Sequence, residues 1–499
     1  MTSVAPEPTR AAEPPRPWLA LQADRLVCSS AYYAGAWCAH AVCSSSLATM
    51  LPSGTKSYEQ RRDEGRSLRE HVPRSGHARW EPDSGRPDPV ARLEASNATR
   101  LPDLVPVRYG RMLASPFAFL RGAALLMADD LAGTPVTGHR VQVCGDAHLA
   151  NFGVFATPER NLIFDVNDFD ETLPAPWEWD VKRLAASVAV AARNLNIDEP
   201  ARTAAVAGTV RAYREHMNEL GAMSPLDVWY ERVDVQQVLA IAREEGAKGL
   251  KNALCVAKVR HRTSLGALPK LTAIVEGRRR IVDEPPLIVH DAIEDRDAEK
   301  MLAQYVQSLP PDRRPLLERW VIVDAARKVV GVGSVGTRCY LVLLMDHDGR
   351  TPLFLQLKEA NEAVNAPYAG PSEFRHQGER VVVGQRLMQA ASDIFLGWTT
   401  DGAHQYYVRQ FRDMKGSVNL DVMTKPGFAT YARLCGRVLA RAHARSGDAA
   451  IIGGYLGRRP TFDEAVAAFA DAYSHQTERD HAALVDAVRS GRVTANVPA

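Results

Sequence analysis

The stretch CGDAHLANFGVFATPERNLIFDVNDFDE, residues 144–171, alternates short apolar runs with loops that carry aspartate and asparagine. The apolar runs predict short strands, so the polar side chains fall on the loops that join them. The side chains of interest are Asp146, Asn151, Asp165, Asp168 and Asp170. One carboxylate that orients a hydroxyl, with an amide and a second carboxylate that hold a divalent cation, is what phosphoryl transfer needs from a protein. The stretch is therefore half of a candidate phosphoryl-transfer site.

The composition is that of a large globular protein. A chain of 499 residues is longer than one that folds around a single ordinary core, so two or three structural units are expected. Hydrophobic residues make up 46% and charged residues 24%, as in proteins that fold in water. The formal net charge of +2 provides no global field that would attract nucleic acid, and no such partner is expected. Seven scattered cysteines without metal-binding spacing are typical of reduced thiols in a cytoplasmic protein.

The N-terminal residues 1–57 differ from the rest. Residues 1–18 are rich in Pro, Ala and Glu, and a disordered start is expected. Residues 26–55 contain no Asp, Glu, Lys or Arg, but serines, glycines and His40 interrupt their apolar residues. Because no block of about 18 consecutive apolar residues exists, no stable membrane insertion is expected. We interpret residues 1–57 as a partly disordered extension, with a weak secretion signal as the alternative.

Hydrophobic periodicity divides the remaining chain into three parts. Residues 58–300 are predicted to be mostly helical around the 144–171 stretch, residues 301–415 to be rich in strands, and residues 416–499 to be helical. Helices are predicted at 58–71, 116–132, 177–194, 201–220, 225–243, 372–394, 427–446 and from Thr461. The basic stretch 244–283 is either a solvated face or a source of phosphate contacts. The side chains that would make such contacts are Lys258, Arg260, Arg262 and Lys270.

A second constellation lies in the strand-rich part. Gly331, Gly333 and Gly336 match GxGxxG, which fits either a dinucleotide site or a glycine hairpin over phosphates. A dinucleotide fold places a helix directly after the glycines, whereas TRCYLVLL alternates like a strand, so the hairpin is favoured. The next strand, LFLQLK, ends at Lys358, where a lysine would reach nucleotide phosphates. Glu379 on the following helix would pair with Lys358; the alternative is an ordinary hairpin with a surface lysine.

CGDAHLAN resembles the HGDLHPGN-type catalytic loop of aminoglycoside phosphotransferases and choline kinases. The resemblance implies that Asp146 is the catalytic aspartate and that Asn151 binds the metal. Cys144 stands where those enzymes have histidine, which removes a hydrogen-bonding side chain but not the reacting carboxylate. NDFDE followed by PWEWDVKRLA resembles their metal-binding aspartate and the helix after it. This second match implies that Asp168 is the other metal ligand, with Asp165 as the alternative.

From about residue 58 to its end, the chain resembles the bacterial domain-of-unknown-function family 2252, which is assigned to the protein-kinase-like superfamily. The matching phrases are VPVRYGRM, SPFAFLRGAA, CGDAHLANFG, NDFDET, LARAHARSGD and GGYLG. The resemblance implies an α+β, protein-kinase-like fold of two lobes, with a mostly helical large lobe and a small antiparallel-sheet lobe.

The order of the motifs is unusual for such a fold. A kinase-like chain places its glycine loop and lysine before the catalytic loop, whereas here Gly331 and Lys358 follow Asp146. We therefore expect a circular permutation, which a fold tolerates when its termini are close and exposed. LARAHA at 439–444 resembles the helix that usually precedes the catalytic loop. The rival interpretation gives that role to residues 116–132 and treats 328–360 as an unrelated hairpin.

The resemblance implies an ATP- and Mg²⁺-dependent phosphotransferase that acts on an unidentified acceptor, a small molecule rather than a protein. Asp180 is expected to support the catalytic loop, and His148 and His443 to be structural. Arg121 is expected to neutralise a buried carboxylate, with phosphate contact as the alternative. The oligomeric state is not predicted.

Other function classes compete with this one. A non-catalytic nucleotide-binding regulator is an alternative, motivated by Cys144 and the unusual order of motifs. Transfer of AMP is another, because it uses the same groups. Asp146-x-His148 also matches the GDxH opening of binuclear metallophosphoesterases, although no GNH segment accompanies it.

Overall fold

The computed structural model describes residues 56–244, 246, 256–290, 295–411 and 413–496. Residues Tyr58–Ala499 form one compact unit. Its helices are α1 (Tyr58–His71), α2 (Pro89–Asn97), α3 (Val105–Leu113), α4 (Pro116–Gly122), α5 (Ala124–Ala132), α6 (Trp177–Asn194), α7 (Glu199–Gly221), α8 (Pro225–Tyr230), α9 (Val235–Glu244), α10 (Val256–Val259), α11 (Ser264–Leu271), α12 (Asp295–Ser308), α13 (Arg314–Leu317), α14 (Ala366–Ala369), α15 (Gln377–Met388), α16 (Lys425–Ala444), α17 (Ala449–Leu456) and α18 (Thr461–Arg489).

The strands form small antiparallel sheets. They are β1 (Arg140–Val143), β2 (Phe152–Ala156), β3 (Leu162–Val166), β4 (Leu173–Pro176), β5 (Thr272–Val275), β6 (Arg278–Ile281), β7 (Ile288–Val289), β8 (Trp320–Lys328), β9 (Cys339–Asp346), β10 (Pro352–Glu359), β11 (Gly397–Thr400), β12 (Gln405–Gln410) and β13 (Gly416–Ser417). The largest sheet has six strands in the order β11-β12-β10-β9-β8-β7. A second sheet has the order β13-β2-β3, and β1 pairs with β4 and β5 with β6. Helices combined with antiparallel sheets make an α+β fold, as expected.

The six-stranded sheet carries the glycine loop and the lysine. Antiparallel β8 and β9 are joined by residues 329–338, and β9 and β10 by an Asp-Gly turn, which confirms the pattern predicted for 328–360. Because side chains alternate along a strand, Leu353 and Leu355 of β10 join the core beneath α12. Phe354 joins the opposite core, against α11, β6 and β7. Lys358 shares the parity of Phe354 and projects from that second face.

The helical core positions the catalytic loop. α6 is buried along most of its length, and its Trp177 stacks on Tyr213 of α7 with ring centroids 5.8 Å apart. α7 begins at Asp198, whose side chain accepts the Ala201 N–H, and a helix start is stabilised by such a cap. α16, which contains LARAHA, packs against α7 and also contacts β1 and β3. A helix from near the chain end therefore lies beside the strands that flank loop 144–151.

The helix predicted over 116–132 is wrong in one respect, because it breaks at Ala123 into α4 and α5. Two carbonyls next to the break accept hydrogen bonds from side chains of other segments. Arg108 donates to the carbonyl of Gly122 at 2.8 Å, and Arg183 donates to that of Leu120 at 2.7 Å. Since buried carbonyls need hydrogen bonds, these two arginines stabilise a break that local sequence does not show.

Two other predicted helices also differ. The segment 225–243 is divided into α8 and α9, and the segment 372–394 is helical only over Gln377–Met388. α15 starts late because His376 caps it through the Glu379 N–H. The remaining predicted helices agree with the structure to within about two residues at each start.

Some expectations fall outside the described residues. These include the predicted extension up to residue 55, with its uncharged stretch 26–55, and residues 247–255 of the basic stretch. Among the helices that the structure describes, none combines the length and apolar character that a membrane crossing requires.

Candidate functional site

A cavity of 370 Å³ brings the two sequence motifs together. Its walls are loop 144–151, the loop after β3, the glycine loop between β8 and β9, and the segment from α2 to α5. Five of the predicted site residues line it, namely Asp146, Asn151, Asp168, Gly331 and Gly333. Arg409 and Lys415 line both this cavity and a neighbouring one of 410 Å³.

Asp146 lies on the loop between β1 and β2 and is held by an arginine. Its Oδ1 accepts hydrogen bonds from Arg183 Nε at 2.9 Å and Nη2 at 2.7 Å. Both contacts engage Oδ1, which leaves Oδ2 as the oxygen for a ligand. His148 Nε2 lies 3.6 Å from Oδ2. Burial lowers the pKa of His148 to about 4, so this ring is neutral near pH 7 and adds no charge to the aspartate.

Asp180 supports the same loop from the start of α6. Its carboxylate accepts the backbone N–H of Cys144 at 2.8 Å and of Gly145 at 3.1 Å. His443 of α16 contacts the same carboxylate at 3.2 Å. Gly145 has a φ of +80°, and a Cβ there would lie 2.1 Å from the Glu171 carbonyl oxygen, so this turn requires glycine. These contacts agree with the supporting roles expected of Asp180 and His443.

Asn151 ends loop 144–151 with its amide fixed in orientation. The Nδ2 atom donates to the carbonyls of Asp146 and Asp168, each at 3.0 Å. The Oδ1 atom is buried and has no hydrogen-bond partner among the described residues. Amide and carboxylate oxygens are the ligands Mg²⁺ takes from proteins, so this oxygen and the cavity-lining Asp168 fit a divalent cation. Within the described residues, no group of three or more His, Cys, Asp or Glu side chains is placed to hold a metal.

Lys358 forms ion pairs with the aspartates of the DFD segment. Its Nζ lies 3.3 Å from both oxygens of Asp168 and also contacts Asp170, whose Oδ1 accepts the Tyr407 hydroxyl at 2.8 Å. Lys358 is 2% exposed and Asp168 is 42% exposed, so the aspartate is the member of the pair that faces the cavity.

The charges of this group follow from burial and from the lysine. Burial disfavours the charged form of Asp168, but the nearby cations Lys358, Arg409 and Lys415 together lower the pKa of Asp168. Burial and the Asp168 carboxylate together raise the pKa of Asp170. Burial opposes the charge on Lys358, yet the two carboxylates raise the pKa of the lysine well above its usual value. Asp168 is therefore an anion and Lys358 a cation throughout the physiological pH range.

The glycine loop is held in place by both walls of the cavity. Gly331 and Gly336 have φ values of +65° and +89°, which favour glycine. Arg100 donates to the Val335 carbonyl at 2.6 Å, and the Ser334 hydroxyl lies 3.2 Å from Asp170 Oδ2. Gly336 is packed against Arg100 and is outside the cavity lining. The loop is thus tied to the same aspartate that contacts Lys358.

Asp165, the alternative metal ligand, lies elsewhere. Its side chain and that of Arg441 on α16 are each 1% exposed, and they form an ion pair. A second oxygen accepts the Ala390 N–H at 2.9 Å. Asp165 is outside the cavity lining, so its carboxylate is occupied by the packing of α16 against β3.

Glu379 is not brought to Lys358. It lies in the first turn of α15, and the ion pairs described for Lys358 go to Asp168 and Asp170. α15 is connected to the DFD segment through its next residue, Arg380, which donates to the Asp170 carbonyl at 2.9 Å. Helix α15 therefore contacts the backbone of the segment rather than the lysine.

Sequence reasoning missed Arg183, which holds Asp146, and the cavity residues Arg100 and Arg108. Arg183 lies three residues after Asp180 on α6, a spacing that places both on one helix face. Because Asp180 was expected to support loop 144–151, this spacing could have predicted that Arg183 contacts the same loop. Arg100 and Arg108 line the cavity without any local pattern that points to it. Arg121 also lines it; burial lowers the pKa of Arg121, and the Asp146 carboxylate opposes this effect.

The basic stretch contributes no cavity residue among those described. Lys258, Arg260 and Lys270 are exposed to solvent, and Arg262 donates to the Lys415 carbonyl at 3.3 Å. None of the four lines the cavity. The solvated-face interpretation describes their positions better than phosphate contact.

Comparison with known proteins identifies a family but not an activity. No curated protein and no solved structure gives a significant match. The model of a family described as uncharacterized proteins conserved in bacteria, DUF2252, matches residues 100–487. The match includes loop 144–151, the DFD segment, the glycine loop and Lys358. The chain therefore belongs to the DUF2252 family of uncharacterized bacterial proteins.

Proposed function

We propose that this chain is an ATP- and Mg²⁺-dependent phosphotransferase whose site is the 370 Å³ cavity. The observation that carries the proposal is the ion pair between Lys358 and Asp168, which joins two motifs 190 residues apart in sequence. A phosphoryl-transfer site needs a cation for nucleotide phosphates, ligands for a metal and a carboxylate for the acceptor. Lys358, the pair of Asn151 and Asp168, and Asp146 would supply these groups.

The fold that accompanies this proposal is a circularly permuted, two-lobed protein-kinase-like architecture. It is supported by the sheet, in which the glycine loop joins β8 to β9 and the adjacent β10 bears Lys358. It is also supported by α16, whose His443 reaches the Asp180 that holds the catalytic loop. The rival helix, residues 116–132, is broken at Ala123 and lines the cavity instead.

The proposed metal ligands are Asn151 and Asp168. The unpartnered Oδ1 of Asn151 and the ionised Asp168 are oxygen donors of the kind that Mg²⁺ binds alongside phosphate oxygens and water. A bound Mg²⁺ would neutralise charge on the transferred phosphoryl group. Lys358 would then interact with both the aspartates and the nucleotide phosphates.

Asp146 is the proposed base. The acceptor hydroxyl donates to Asp146 Oδ2, and its oxygen bonds to the γ-phosphorus as the bond from that phosphorus to the bridging oxygen breaks. The hydroxyl proton passes to Asp146, and ADP leaves. Arg183 fixes the carboxylate through Oδ1, so Oδ2 is the oxygen positioned for the proton. Base catalysis of this kind contributes about 10²–10⁴-fold.

A non-catalytic nucleotide-binding regulator is the second candidate, and one observation favours it. Arg183 engages one oxygen of the Asp146 carboxylate in an ion pair, so part of this carboxylate has a structural role. Cys144, which stands at the histidine position of the resembled loop, is fully buried, so it offers no reactive group in compensation. In this case nucleotide would bind without turnover.

The test is a thermal-shift titration of the full chain with Mg²⁺ and ATP, followed by product analysis. At a ligand concentration 100-fold above Kd, binding stabilises a protein by about 2.7 kcal/mol, so the melting temperature should rise with both components and less with either alone. Formation of ADP supports the phosphotransferase, and AMP incorporation the nucleotidyl transferase. A shift without turnover across an acceptor panel supports the regulator, and no shift contradicts all three nucleotide-binding functions.

A further inference from the structure

Three arginines line one wall of the cavity without a carboxylate partner. They are Arg100, Arg108 and Arg121, from the segment between α2 and α4. None forms an ion pair within 4.0 Å among the described residues, and the Nε atom of each is buried without a hydrogen-bond partner there. Arg108 is 1% exposed and contacts only neutral groups, the side chains of Ser96 and Asn97 and the Gly122 carbonyl. A buried guanidinium without a counter-ion is costly.

The acids of the same cavity are already compensated. Asp168 and Asp170 are paired with Lys358, and Asp146 is paired with Arg183. Of two other acids, Glu359 is paired with Arg338, and Glu362 is exposed to solvent.

Glu171 is the remaining acid of the cavity. Burial raises the pKa of Glu171 to about 7, so it carries only part of a negative charge at neutral pH. The uncompensated charge inside the cavity is therefore positive. Three of its carriers lie on the α2–α4 wall, and two more, Arg409 and Lys415, lie elsewhere in the lining and donate to neutral groups.

This wall lies beside the proposed base. The charge of Asp146 acts on Arg121, and Arg183, which holds Asp146, donates to the carbonyl of Leu120, the residue before Arg121. The Lys358 side of the cavity is formed by different elements, β10 and the DFD segment. A group bound to Arg121 would thus lie on the acceptor's side of the cavity, whereas Arg100 is the member of the wall that contacts the glycine loop.

We propose that the acceptor carries an oxyanion, either a phosphate or a carboxylate, and that Arg100, Arg108 and Arg121 bind it beside Asp146. This inference rests on the proposed phosphotransferase function and names its substrate class. Guanidinium groups match planar and tetrahedral oxyanions through paired hydrogen bonds. The Thr99 side chain lines the same wall and adds a hydroxyl donor. The acceptor is thus unlike the cationic substrates of the aminoglycoside and choline kinases that the catalytic loop resembles.

Calorimetric titration without nucleotide tests the wall directly. The probes are glycerol 3-phosphate, glycerate and choline, each titrated into the full chain and into four variants. Arg121→Gln removes one charge from the wall. Arg108→Lys keeps the positive charge but lacks the planar guanidinium that forms paired hydrogen bonds. Arg193→Gln is the matched control, because Arg193 pairs with Glu478 outside the cavity. Lys415→Met removes a cavity cation that lies outside this wall.

One or both anionic probes should bind wild type, Arg193→Gln and Lys415→Met, and choline should not. Arg121→Gln should weaken anion binding at least tenfold, and Arg108→Lys should weaken it less. Whether glycerol 3-phosphate or glycerate binds more tightly assigns the phosphate or the carboxylate. Binding of choline, absence of anion binding in wild type, or loss of anion binding only in Lys415→Met would each overturn the inference.

The proposed function has a separate readout. If Mg²⁺ and ATP do not bind while the anion titrations give the expected pattern, the phosphotransferase proposal fails and the anion site stands. If nucleotide turnover is observed but Arg121→Gln leaves anion affinity unchanged, the phosphotransferase proposal stands and the anion site fails.

Discussion

Lys358 and Asp168 form an ion pair in which Nζ lies 3.3 Å from both carboxylate oxygens, although 190 residues separate them in sequence. The lysine is almost completely buried and the aspartate opens to the cavity. Because a buried cation must be compensated, the pair fixes the strand-rich sheet against the DFD segment. The same contact places a cation next to the proposed metal ligand.

Replacing Lys358 with methionine should abolish binding of Mg²⁺ and ATP and destabilise the fold. The change leaves Asp168 and Asp170 without their cation, and loss of one partner from a buried pair costs about 3–5 kcal/mol. The exposure of Asp168 places the expected loss toward the lower end of that range. Urea denaturation measures the loss of stability, and calorimetry measures nucleotide affinity.

Lys258→Met is the matched control for that variant. Lys258 is exposed on the basic stretch and outside the cavity, so neither stability nor nucleotide affinity should change. If Lys258→Met lost nucleotide binding and Lys358→Met kept it, phosphate contacts would belong to the basic stretch.

Asp146→Asn should lower turnover by about 10²–10⁴-fold, because an amide cannot accept the hydroxyl proton. Nucleotide affinity should be preserved, since the substitution leaves Lys358, Asn151 and Asp168 in place. Steady-state kinetics and a nucleotide titration on the same preparation separate the two effects. Asp312→Asn, at an exposed carboxylate, controls for the loss of a negative charge. Normal turnover of Asp146→Asn would remove this residue from catalysis.

The buried pair between Arg441 and Asp165 should matter for stability and not for metal binding. Arg441→Met leaves Asp165 buried and unpaired, at a cost of about 3–5 kcal/mol. Adding Asp165→Asn should recover part of that loss, because the buried negative charge is removed. Denaturation curves of the single and double variants measure both effects. If folded Asp165→Asn lost the Mg²⁺ dependence of nucleotide binding, Asp165 would be the metal ligand instead of Asp168.

His77 should make the protein less stable in acid. Its ring is buried against Tyr455, with Nε2 2.7 Å from the hydroxyl, and burial lowers its pKa from 6.5 to about 3. The unfolded chain binds a proton below pH 6.5 and the folded chain does not, so stability falls as pH drops from 6.5 toward 3. The slope contributed by one such group is about 1.4 kcal/mol per pH unit.

His77→Gln removes this contribution, so its unfolding free energy should decline less steeply than that of wild type between pH 6.5 and 4.5. Urea denaturation at several pH values gives the slope. The exposed His347 provides the control substitution, His347→Gln, which should keep the wild-type slope. An unchanged slope in His77→Gln would show that this ring is not the proton-linked group.

Local patterns predicted the parts of the candidate site that lie on single loops. Asp146, Asn151 and Asp168 follow short apolar runs, and the strand after Gly336 was visible in its alternation. The structure places these residues and Gly331 around one cavity. Such features depend on period-2 patterning and turn residues, which act over a few positions.

The remaining parts depend on contacts between distant segments. The predicted helix breaks at Ala123, where Arg108 and Arg183 donate to the carbonyls next to the break, and no local signal reports those partners. Asp170, rather than Glu379, contacts Lys358 because α15 directs Arg380 toward the DFD backbone. Spacing along the chain carries no information about such packing, so the residue that pairs with Lys358 could be named only from the fold.

A crystal structure of the full chain with Mg²⁺ and a non-hydrolysable ATP analogue tests the central claim most directly. The account predicts the metal between Asn151 Oδ1 and the Asp168 carboxylate, the phosphates against Lys358 and the glycine loop, and the γ-phosphate facing Asp146. Nucleotide bound outside this cavity, or phosphates that do not contact Lys358 and the Gly331–Gly336 loop, would contradict it.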